Sequence, residues 1–365
     1  MINGIWKERF KMDLGTLIKK EVREQQGYRA DATPYRTRMD ANESPFSLPP
    51  LLKTKLFKEM KNVALNRYPE PGATLIRKRF AEHYGVPDDM IMIGNGSDEL
   101  IQILCTALAK PQSVVMVPAP TFVMYGIIAS NAGHAVAEVP LNAFFDLDLD
   151  AMLTRVATDA PVLTFLSYPN SPTANCFSEK SIAAIVEAST GIVVVDEAYG
   201  SFSGKTFLPL LKKHDNLVIL KTLSKVGLAA MRIGFLIAAP SLVHELDKVR
   251  LPYNINALSQ VAAGFYLNHI DTFLGQMREI IASREELLSA LGKIQGINPY
   301  PSDANFIFFS CDFDADTIYS KLVEEGILVK NLNSPGILKN CMRVTVGSRE
   351  ENKEFLKVLK KILLK

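Results

Sequence analysis

Short apolar runs rich in β-branched residues recur along the first two thirds of the chain and alternate with segments of helical periodicity. The runs are MIMI (90–93), SVVMV (113–117), VLTFLS (162–167), IVVVD (192–196), NLVIL (216–220) and IGFLIA (233–238). Runs this apolar are typical of strands that are covered on both faces. The pattern therefore predicts an α/β layer fold with a mostly parallel main sheet.

The pattern changes after about residue 270. Apolar positions at helical spacing predict a long helix over Thr272–Leu291, and a short α+β segment follows it. A last helix is expected from Ser348, because Glu351 three residues later completes a capping-box signature. We predict an N-terminal arm (1–45) that joins the smaller domain, a large α/β domain (46–270) and a small C-terminal α+β domain (271–365).

Charge and composition narrow the function. The 365 residues include 41 Lys and Arg against 39 Asp and Glu, a net charge of +2, and no basic run indicates a nucleic-acid partner. No signal peptide is apparent, and prolines interrupt the longest apolar stretch, Val114–Ala129, so no membrane segment is predicted. Four scattered cysteines and five histidines outside any motif indicate neither a disulfide framework nor a metal site. We therefore expect a cytoplasmic protein that acts on small molecules.

Chemically informative residues follow the predicted strands, where ligands of open α/β sheets bind. They fall in four loops: 94–99 (GNGSDE), 168–173 (YPNSPT), 196–199 (DEAY) and 221–232 (KTLSKVGLAAMR). In the first loop, glycines let backbone N–H groups approach a phosphate, and Ser97 is suited to cap the following helix. Taken singly, each loop also has an ordinary structural explanation as a capped helix or a tight turn.

Taken together, the four loops suit pyridoxal 5'-phosphate. This cofactor requires a lysine for a Schiff base, a carboxylate for the ring nitrogen, donors for the ring oxygen, an aromatic face and a phosphate cradle. Lys225 has two hydroxyls, a glycine and Arg232 in its own loop, and Asp196 ends a buried strand. The residues therefore predict a pyridoxal-phosphate enzyme.

At this point the chain resembles fold-type I pyridoxal-phosphate aminotransferases of class I and II, and within them the histidinol-phosphate aminotransferases. The resemblance rests on eight motifs in order: MDANESPF (39–46), NRYP (66–69), GNGSDELI (94–101), PTFVMY (120–125), YPNSPT (168–173), VVDEAYGSF (194–202), KTLSKVGLAAMRIGF (221–235) and MRVTVG (342–347). It implies a large domain with a seven-stranded, mostly parallel sheet between helices, and a smaller α+β domain.

The resemblance also implies roles for residues. Lys225 forms the Schiff base and moves the substrate proton, Asp196 pairs with the ring nitrogen, and Tyr199 contacts the ring oxygen with Asn170. Tyr125 is expected to stack on the ring. The expected phosphate contacts are Gly96, Ser97, Asp98, Thr222, Ser224 and Arg232, with Tyr68 reaching the neighbouring subunit's site in a homodimer with shared active sites. The expected substrate contacts are Arg343, Asn170, Tyr28, Asn42 and Lys330.

The reaction implied is transfer of the amino group of L-histidinol phosphate to 2-oxoglutarate in histidine biosynthesis, giving imidazole acetol phosphate and L-glutamate by a ping-pong route. An aromatic or broad-specificity aminotransferase is the nearest alternative, and a threonine-phosphate-type decarboxylase is a further one. A non-catalytic binding module or a nicotinamide dehydrogenase is disfavoured, because no GxGxxG follows the first predicted strand.

Two features of the sequence depart from the family pattern. Lys330 stands where many members have an arginine, so a planar, bidentate contact is replaced by a point charge. The spacing from Lys225 to Arg232 is one residue shorter than in some members, which leaves the geometry of that loop open.

Overall fold

The computed structural model describes residues 14–25, 31 and 33–364. The strands are β1 (Thr37–Met39), β2 (Ile91–Asn95), β3 (Val114–Ala119), β4 (Ala135–Pro140), β5 (Leu163–Ser167), β6 (Ile192–Asp196), β7 (Leu217–Thr222), β8 (Ile233–Ile237), β9 (Ile297–Pro299), β10 (Phe306–Cys311), β11 (Ile327–Asn331) and β12 (Cys341–Thr345).

The α-helices lie before, between and after these strands. They are α1 (Leu14–Leu17), α2 (Lys20–Glu24), α3 (Pro50–Met60), α4 (Thr74–Tyr84), α5 (Ser97–Ala107), α6 (Met124–Ala132), α7 (Leu149–Asp159), α8 (Glu179–Ala188), α9 (Gly200–Ser203), α10 (Pro240–Asp247), α11 (Ala257–Asn268), α12 (Ile270–Leu291), α13 (Ala315–Glu324) and α14 (Arg349–Leu363). Within the described ranges, no helix has both the length and the hydrophobicity needed to cross a bilayer.

The main sheet has seven strands in the order β2-β8-β7-β6-β5-β3-β4. All neighbours are parallel except β8, which runs antiparallel to β2 and β7. Both faces are covered, because Val193 and Val195 of β6 pack into one apolar cluster while Val194 packs into another. The predicted mostly parallel sheet between helices is therefore confirmed, and all six apolar runs form strands of it.

A second sheet has five strands in the order β1-β11-β12-β10-β9. β1 pairs in parallel with β11, so residues 37–39 of the predicted arm form an edge of this sheet. The long helix α12 contributes to two apolar cores. Phe273 and Met277 pack into a cluster that includes residues of the main sheet. Leu287 and Leu291, further along the helix, pack into the cluster of the second sheet. Ser348 and Glu351 form the predicted capping box at the start of α14.

The chain divides into two compact units, residues 1–34 and residues 35–365. In the first, α1 and α2 are short and the described side chains are mostly exposed. In the second lie both sheets. The domain bounds 1–45, 46–270 and 271–365 stay a prediction.

Candidate active site

A cavity of about 110 Å³ lies at the carboxyl ends of the central strands of the main sheet. Its walls come from the loops after β2, β3, β5, β6 and β7, which meet there because neighbouring parallel strands end on the same edge. The lining residues are Ser97, Asp98, Phe122, Tyr125, Ser167, Asp196, Ala198, Tyr199, Thr222, Ser224, Lys225 and Arg232. The structure thus brings together nine of the residues that the sequence singled out.

Lys225 lies in a single 3₁₀ turn, Ser224–Val226, directly after β7. The turn is closed by Gly227, whose φ of +101° is strained for any residue with a side chain. The Lys225 Nζ donates a hydrogen bond to the carbonyl oxygen of Ala41 at 3.3 Å and lies 5.6 Å from the centre of the Tyr199 ring. The amine is therefore presented to the cavity from a fixed turn.

Asp196 is the last residue of β6 and is 3% exposed. Its Oδ2 accepts a hydrogen bond from the Tyr125 hydroxyl at 2.7 Å, and its Oδ1 accepts one from the Ala198 N–H at 3.0 Å. Burial raises the pKa of Asp196 to about 6, and these two hydrogen bonds oppose that rise. The carboxylate remains charged at neutral pH, as a partner for a cationic ring nitrogen must be.

Tyr125 is fully buried in the first turn of α6. Its ring stacks on Phe165, with centroids 4.7 Å apart and planes 1° from parallel, while its hydroxyl is bonded to Asp196. Burial, and then the charge of Asp196, raise the pKa of Tyr125 well above its usual value, so it remains a donor. One face of the ring therefore packs on Phe165, and the expected stacking of Tyr125 on the cofactor stays a prediction.

Phe122 is an aromatic lining residue that the sequence interpretation missed. It lies three residues before Tyr125, is half-buried, and meets the Tyr125 ring edge-on at 5.3 Å. The signal that could have found it is its place in the same PTFVMY motif, which offers two aromatic candidates.

Backbone N–H groups at the start of α5 and the guanidinium of Arg232 have the donors that an anion site needs. Arg232 donates to Asp98 Oδ2 at 3.1 Å and to Ser224 Oγ at 3.3 Å, and Thr222 Oγ1 lies 3.0 Å from Ser224 Oγ. Ser97, expected to cap α5, is instead its first residue. The N-cap is Gly96, whose φ of +80° places it outside the helix, and no side chain of the described residues caps this end.

Two glycines make this cradle compact. A Cβ on Gly234 of β8 would lie 2.5 Å from the Gly96 carbonyl carbon and the Ser97 nitrogen. A Cβ on Gly96 would lie 2.6 Å from Arg232 Nη2. The close approach of β8, the 94–97 turn and the guanidinium therefore depends on the absence of side chains at both positions.

Asn170 does not line the cavity. It is completely buried, its Oδ1 accepts from Thr121 Oγ1 at 2.8 Å, and its Nδ2 donates to the Pro120 carbonyl at 3.0 Å and to Thr173 Oγ1 at 2.8 Å. The amide fixes the 168–173 loop against the loop after β3. Its expected contacts with the ring oxygen and the substrate stay predictions.

The expected substrate residues lie beside the cavity, on and next to the second sheet. Arg343 of β12 donates to Ser171 Oγ at 3.0 Å and to the Asp40 carbonyl at 2.7 Å, and its guanidinium lies over the Phe306 ring. Lys330 of β11 is exposed and pairs across the strands with Arg343. Two cationic side chains therefore stand next to each other near the segment that contacts Lys225.

The remaining predicted residues differ in position. Asn42 is buried and donates from Nδ2 to the Tyr199 hydroxyl at 2.9 Å. Tyr68 is 80% exposed, stacks on Tyr253 with centroids 4.5 Å apart, and does not line the cavity. Tyr28 lies outside the described residues.

The residues present fit pyridoxal phosphate. A buried carboxylate faces an amine across the cavity, a half-buried aromatic residue lines it, and an anion cradle with a guanidinium closes one side. The donor set matches a cationic ring nitrogen, a carbonyl carbon that takes an amine, and a phosphate dianion.

Comparisons with known proteins give the family. Residues 37–359 match the family described as aminotransferase class I and II. A histidinol-phosphate aminotransferase 2 of Nitrosococcus oceani is 44% identical over 346 residues, covering 94% of this chain and 96% of the relative. A histidinol-phosphate aminotransferase of Aquifex aeolicus is 38% identical over 94% of this chain and 97% of its own.

A crystal structure of the histidinol-phosphate aminotransferase of Sinorhizobium meliloti in complex with pyridoxal-5'-phosphate has the same fold. Its TM-score is 0.85 at 21% identity, covering 95% of this chain and 97% of that one. Together with the family match over most of the chain and the cavity described above, this shows that the chain belongs to the class I and II aminotransferases and that its cofactor is pyridoxal phosphate.

Proposed function

We propose that this enzyme transfers the amino group of L-histidinol phosphate to 2-oxoglutarate. The observation that carries the transfer chemistry is the single cavity that holds Lys225, Asp196 and the anion cradle of Arg232 and α5. The proposed substrate rests on the curated relatives at 38–44% identity, whose names specify histidinol phosphate.

Bound pyridoxal phosphate supplies an electron sink for the carbon that bears the amino group. Asp196 holds the charge that keeps the ring nitrogen protonated, and Tyr125 and the Ala198 N–H hold that carboxylate in place. Lys225 Nζ takes a proton from the substrate carbon and returns it, since it is the amine that lines the cavity. We propose that Phe122, rather than Tyr125, supplies the aromatic face.

Arg343 and Lys330 are the proposed grip on the substrate's phosphate, and on the carboxylate of the amino acceptor. Their side chains start from paired positions on β12 and β11. The fork of Arg343 suits bidentate contacts, and Lys330 adds a point charge without a second fork. This arrangement favours a dianionic phosphate over an uncharged aromatic side chain.

The test compares kcat/KM for L-histidinol phosphate and L-phenylalanine, each with 2-oxoglutarate. We expect a clear preference for histidinol phosphate. A preference for phenylalanine would favour the aromatic aminotransferase, and carbon dioxide release without a keto acid would favour the decarboxylase.

The cofactor chemistry has its own test. Borohydride is expected to fix pyridoxal phosphate covalently to the peptide that contains Lys225, as detected by mass spectrometry. Lys225→Ala should retain no covalently attached cofactor after borohydride treatment and should lose about 10²- to 10⁴-fold in kcat. Wild-type protein that binds no pyridoxal phosphate would overturn the proposal.

We also propose a homodimer with shared active sites, located in the cytoplasm. Tyr68 is highly exposed and lies on a different groove of its own chain, lined by Val63, Leu75 and Val261 among others. A second copy seated on that groove would bring Tyr68 to another cavity, as the NRYP motif implies.

A further inference from the structure

Asn42 is held in an unusual conformation next to the cavity. Its φ is +55°, in the left-handed region, and it is 2% exposed. Its carbonyl oxygen accepts from Asn305 Nδ2 at 3.0 Å, and its N–H donates to Thr345 Oγ1 at 3.0 Å. Asparagine tolerates the left-handed region better than most residues with a side chain, and these bonds from β12 and from the residue before β10 fix Asn42 in it.

We propose that Asn42 is a positioning residue that turns the hydroxyl proton of Tyr199 into the cofactor cavity. This departs from its expected role as a substrate contact. The inference rests on the proposed function, because it assigns a partner for the oxygen of the bound cofactor ring.

The orientation of the Asn42 amide follows from a count of protons. Thr345 Oγ1 accepts the Asn42 N–H, so its own proton is available for Asn42 Oδ1, 3.2 Å away. With Oδ1 accepting from Thr345, the amide must present Nδ2 to the Tyr199 hydroxyl. Thr345 therefore fixes which end of the amide faces the tyrosine.

Tyr199 consequently receives a proton from Asn42 and keeps its own to donate. Its hydroxyl oxygen accepts this hydrogen bond, and the hydroxyl donates no hydrogen bond to any other described residue. Tyr199 lines the cavity, is 7% exposed, and packs its ring edge-on against Phe306. Because the ring is held by packing, the remaining direction for the hydroxyl proton is set by Asn42.

The charged and titratable groups around Tyr199 come from several elements. Lys225 Nζ lies over its ring, Asp196 ends β6 three residues before it, and Tyr125 of α6 lines the same cavity. The Arg343 guanidinium lies over Phe306, whose ring contacts Tyr199. A hydrogen bond donated by Tyr199 to the ring oxygen of the cofactor would stabilise the negative charge of that oxygen. It would therefore favour release of the proton on the nitrogen that joins Lys225 to the cofactor.

Asn42→Asp tests this assignment. The shape and the tolerance of a positive φ are kept, but the group that faces Tyr199 becomes an acceptor and draws the hydroxyl proton away from the cavity. The readout is the pH at which the visible absorption of the cofactor bound to the protein changes, measured without substrate. We expect this midpoint to rise by about one pH unit.

The new carboxylate also adds charge, so the variant is measured again in a Tyr199→Phe background. If Asn42 acts through the tyrosine, the shift caused by Asn42→Asp should fall to less than about half there. Thr345→Val is a second variant, which keeps the shape of the residue and frees the Asn42 amide to turn. It should move the midpoint of the absorbance titration in the same direction as Asn42→Asp, but by less.

Equal shifts in both backgrounds, or no shift in either variant while the cofactor stays bound, would overturn the inference. A purely structural role would lower the midpoint of thermal unfolding and leave the absorbance titration unchanged, which also counts against it. Failure of the proposed function looks different, because the wild-type protein would then bind no cofactor or would not use histidinol phosphate.

Discussion

At the scale of single residues, the Asp196 carboxylate shows how its surroundings set the charge of the site. Burial raises its pKa from 3.8 to about 6, the negative charges of Asp98 and Glu197 add to the rise, and the Tyr125 hydroxyl and the Ala198 N–H counteract it. A folded-state pKa above the unfolded-state value means that the ionised form destabilises the cofactor-free protein. The role proposed for Asp196 thus requires a charge that the cofactor-free fold disfavours.

Asp196→Asn should remove this pH dependence. The contribution of Asp196 to stability is full below pH 3.8 and is lost as pH rises through about 6. We compare the free energy of unfolding of the cofactor-free wild type with that of the variant. The difference, wild type minus variant, should fall by about 2 kcal/mol between about pH 4.5 and about pH 7.5. Denaturant unfolding of both proteins at the two pH values measures it, and parallel pH profiles would contradict it.

Phe122→Leu should weaken cofactor binding by about 3- to 10-fold, because an aromatic face contributes on the order of 1 kcal/mol beyond its buried area. Equilibrium titration of the cofactor-free protein with pyridoxal phosphate gives the dissociation constant. The control is Phe144→Leu, which changes an aromatic side chain that is 87% exposed in the loop between β4 and α7. An unchanged constant for Phe122→Leu would show that another group covers the ring.

At the scale of elements, the proposed phosphate cradle depends on contact between β8 and the turn before α5. Gly234→Ala places a Cβ against backbone atoms of Gly96 and Ser97 that have no side-chain freedom to move away. We expect a loss of about 1–3 kcal/mol in stability and faster loss of cofactor on dialysis.

Gly275→Ala is the matched control for this change. Gly275 lies within α12, and a Cβ there would meet no atom of the other described residues within 4 Å, the backbone of its own helix aside. Alanine is the better helix former by about 1 kcal/mol, so this variant should be as stable as the wild type or more so, with the cofactor retained. Equal effects of both substitutions on retention would show that the Gly96–Gly234 contact does not matter.

The elements that could be predicted from sequence are those buried on both faces. The six apolar runs became strands because each supplies side chains to two clusters, as the residues of β6 do. β4 was missed, because Ala135–Pro140 lies at the edge of the sheet and is half exposed, which dilutes its apolar pattern. The prediction that Ser97 caps α5 was wrong. The N-cap is Gly96, and its φ depends on packing against β8 rather than on local preference.

Within the candidate site, sequence order gave the loops but not the direction of each side chain. Phe122 and Tyr125 share one motif, and only the positions of Phe165 on β5 and Asp196 on β6 decide where the ring and the hydroxyl of Tyr125 lie. Asn42 likewise could be placed near the site, while its bond to Tyr199 depends on Thr345, about 300 residues later in the chain.

At the scale of the whole molecule, the proposed dimer accounts for apolar side chains that a single chain leaves in solvent. The side chains concerned are 70–82% exposed. They are Leu65 and Tyr68 between α3 and α4, Leu75 in the first turn of α4, and Leu251 after α10. Several large apolar side chains exposed in one region of the chain are typical of an interface. Leu65→Asp should therefore halve the mass measured by light scattering, whereas Leu364→Asp, 88% exposed at the end of α14, should leave it unchanged.

Shared active sites predict complementation between two defective subunits. Lys225→Ala lacks the amine in its own cavity, and Tyr68→Ala lacks the tyrosine that is proposed to serve the partner's cavity. In a mixed dimer, the cavity of the Tyr68→Ala subunit keeps its own Lys225 and receives Tyr68 from the other chain. Unfolding and refolding an equal mixture gives one intact site in each mixed dimer, so about one quarter of wild-type activity should return. If Tyr68 instead serves its own chain, neither cavity of the mixed dimer is complete and the mixture stays as inactive as its components.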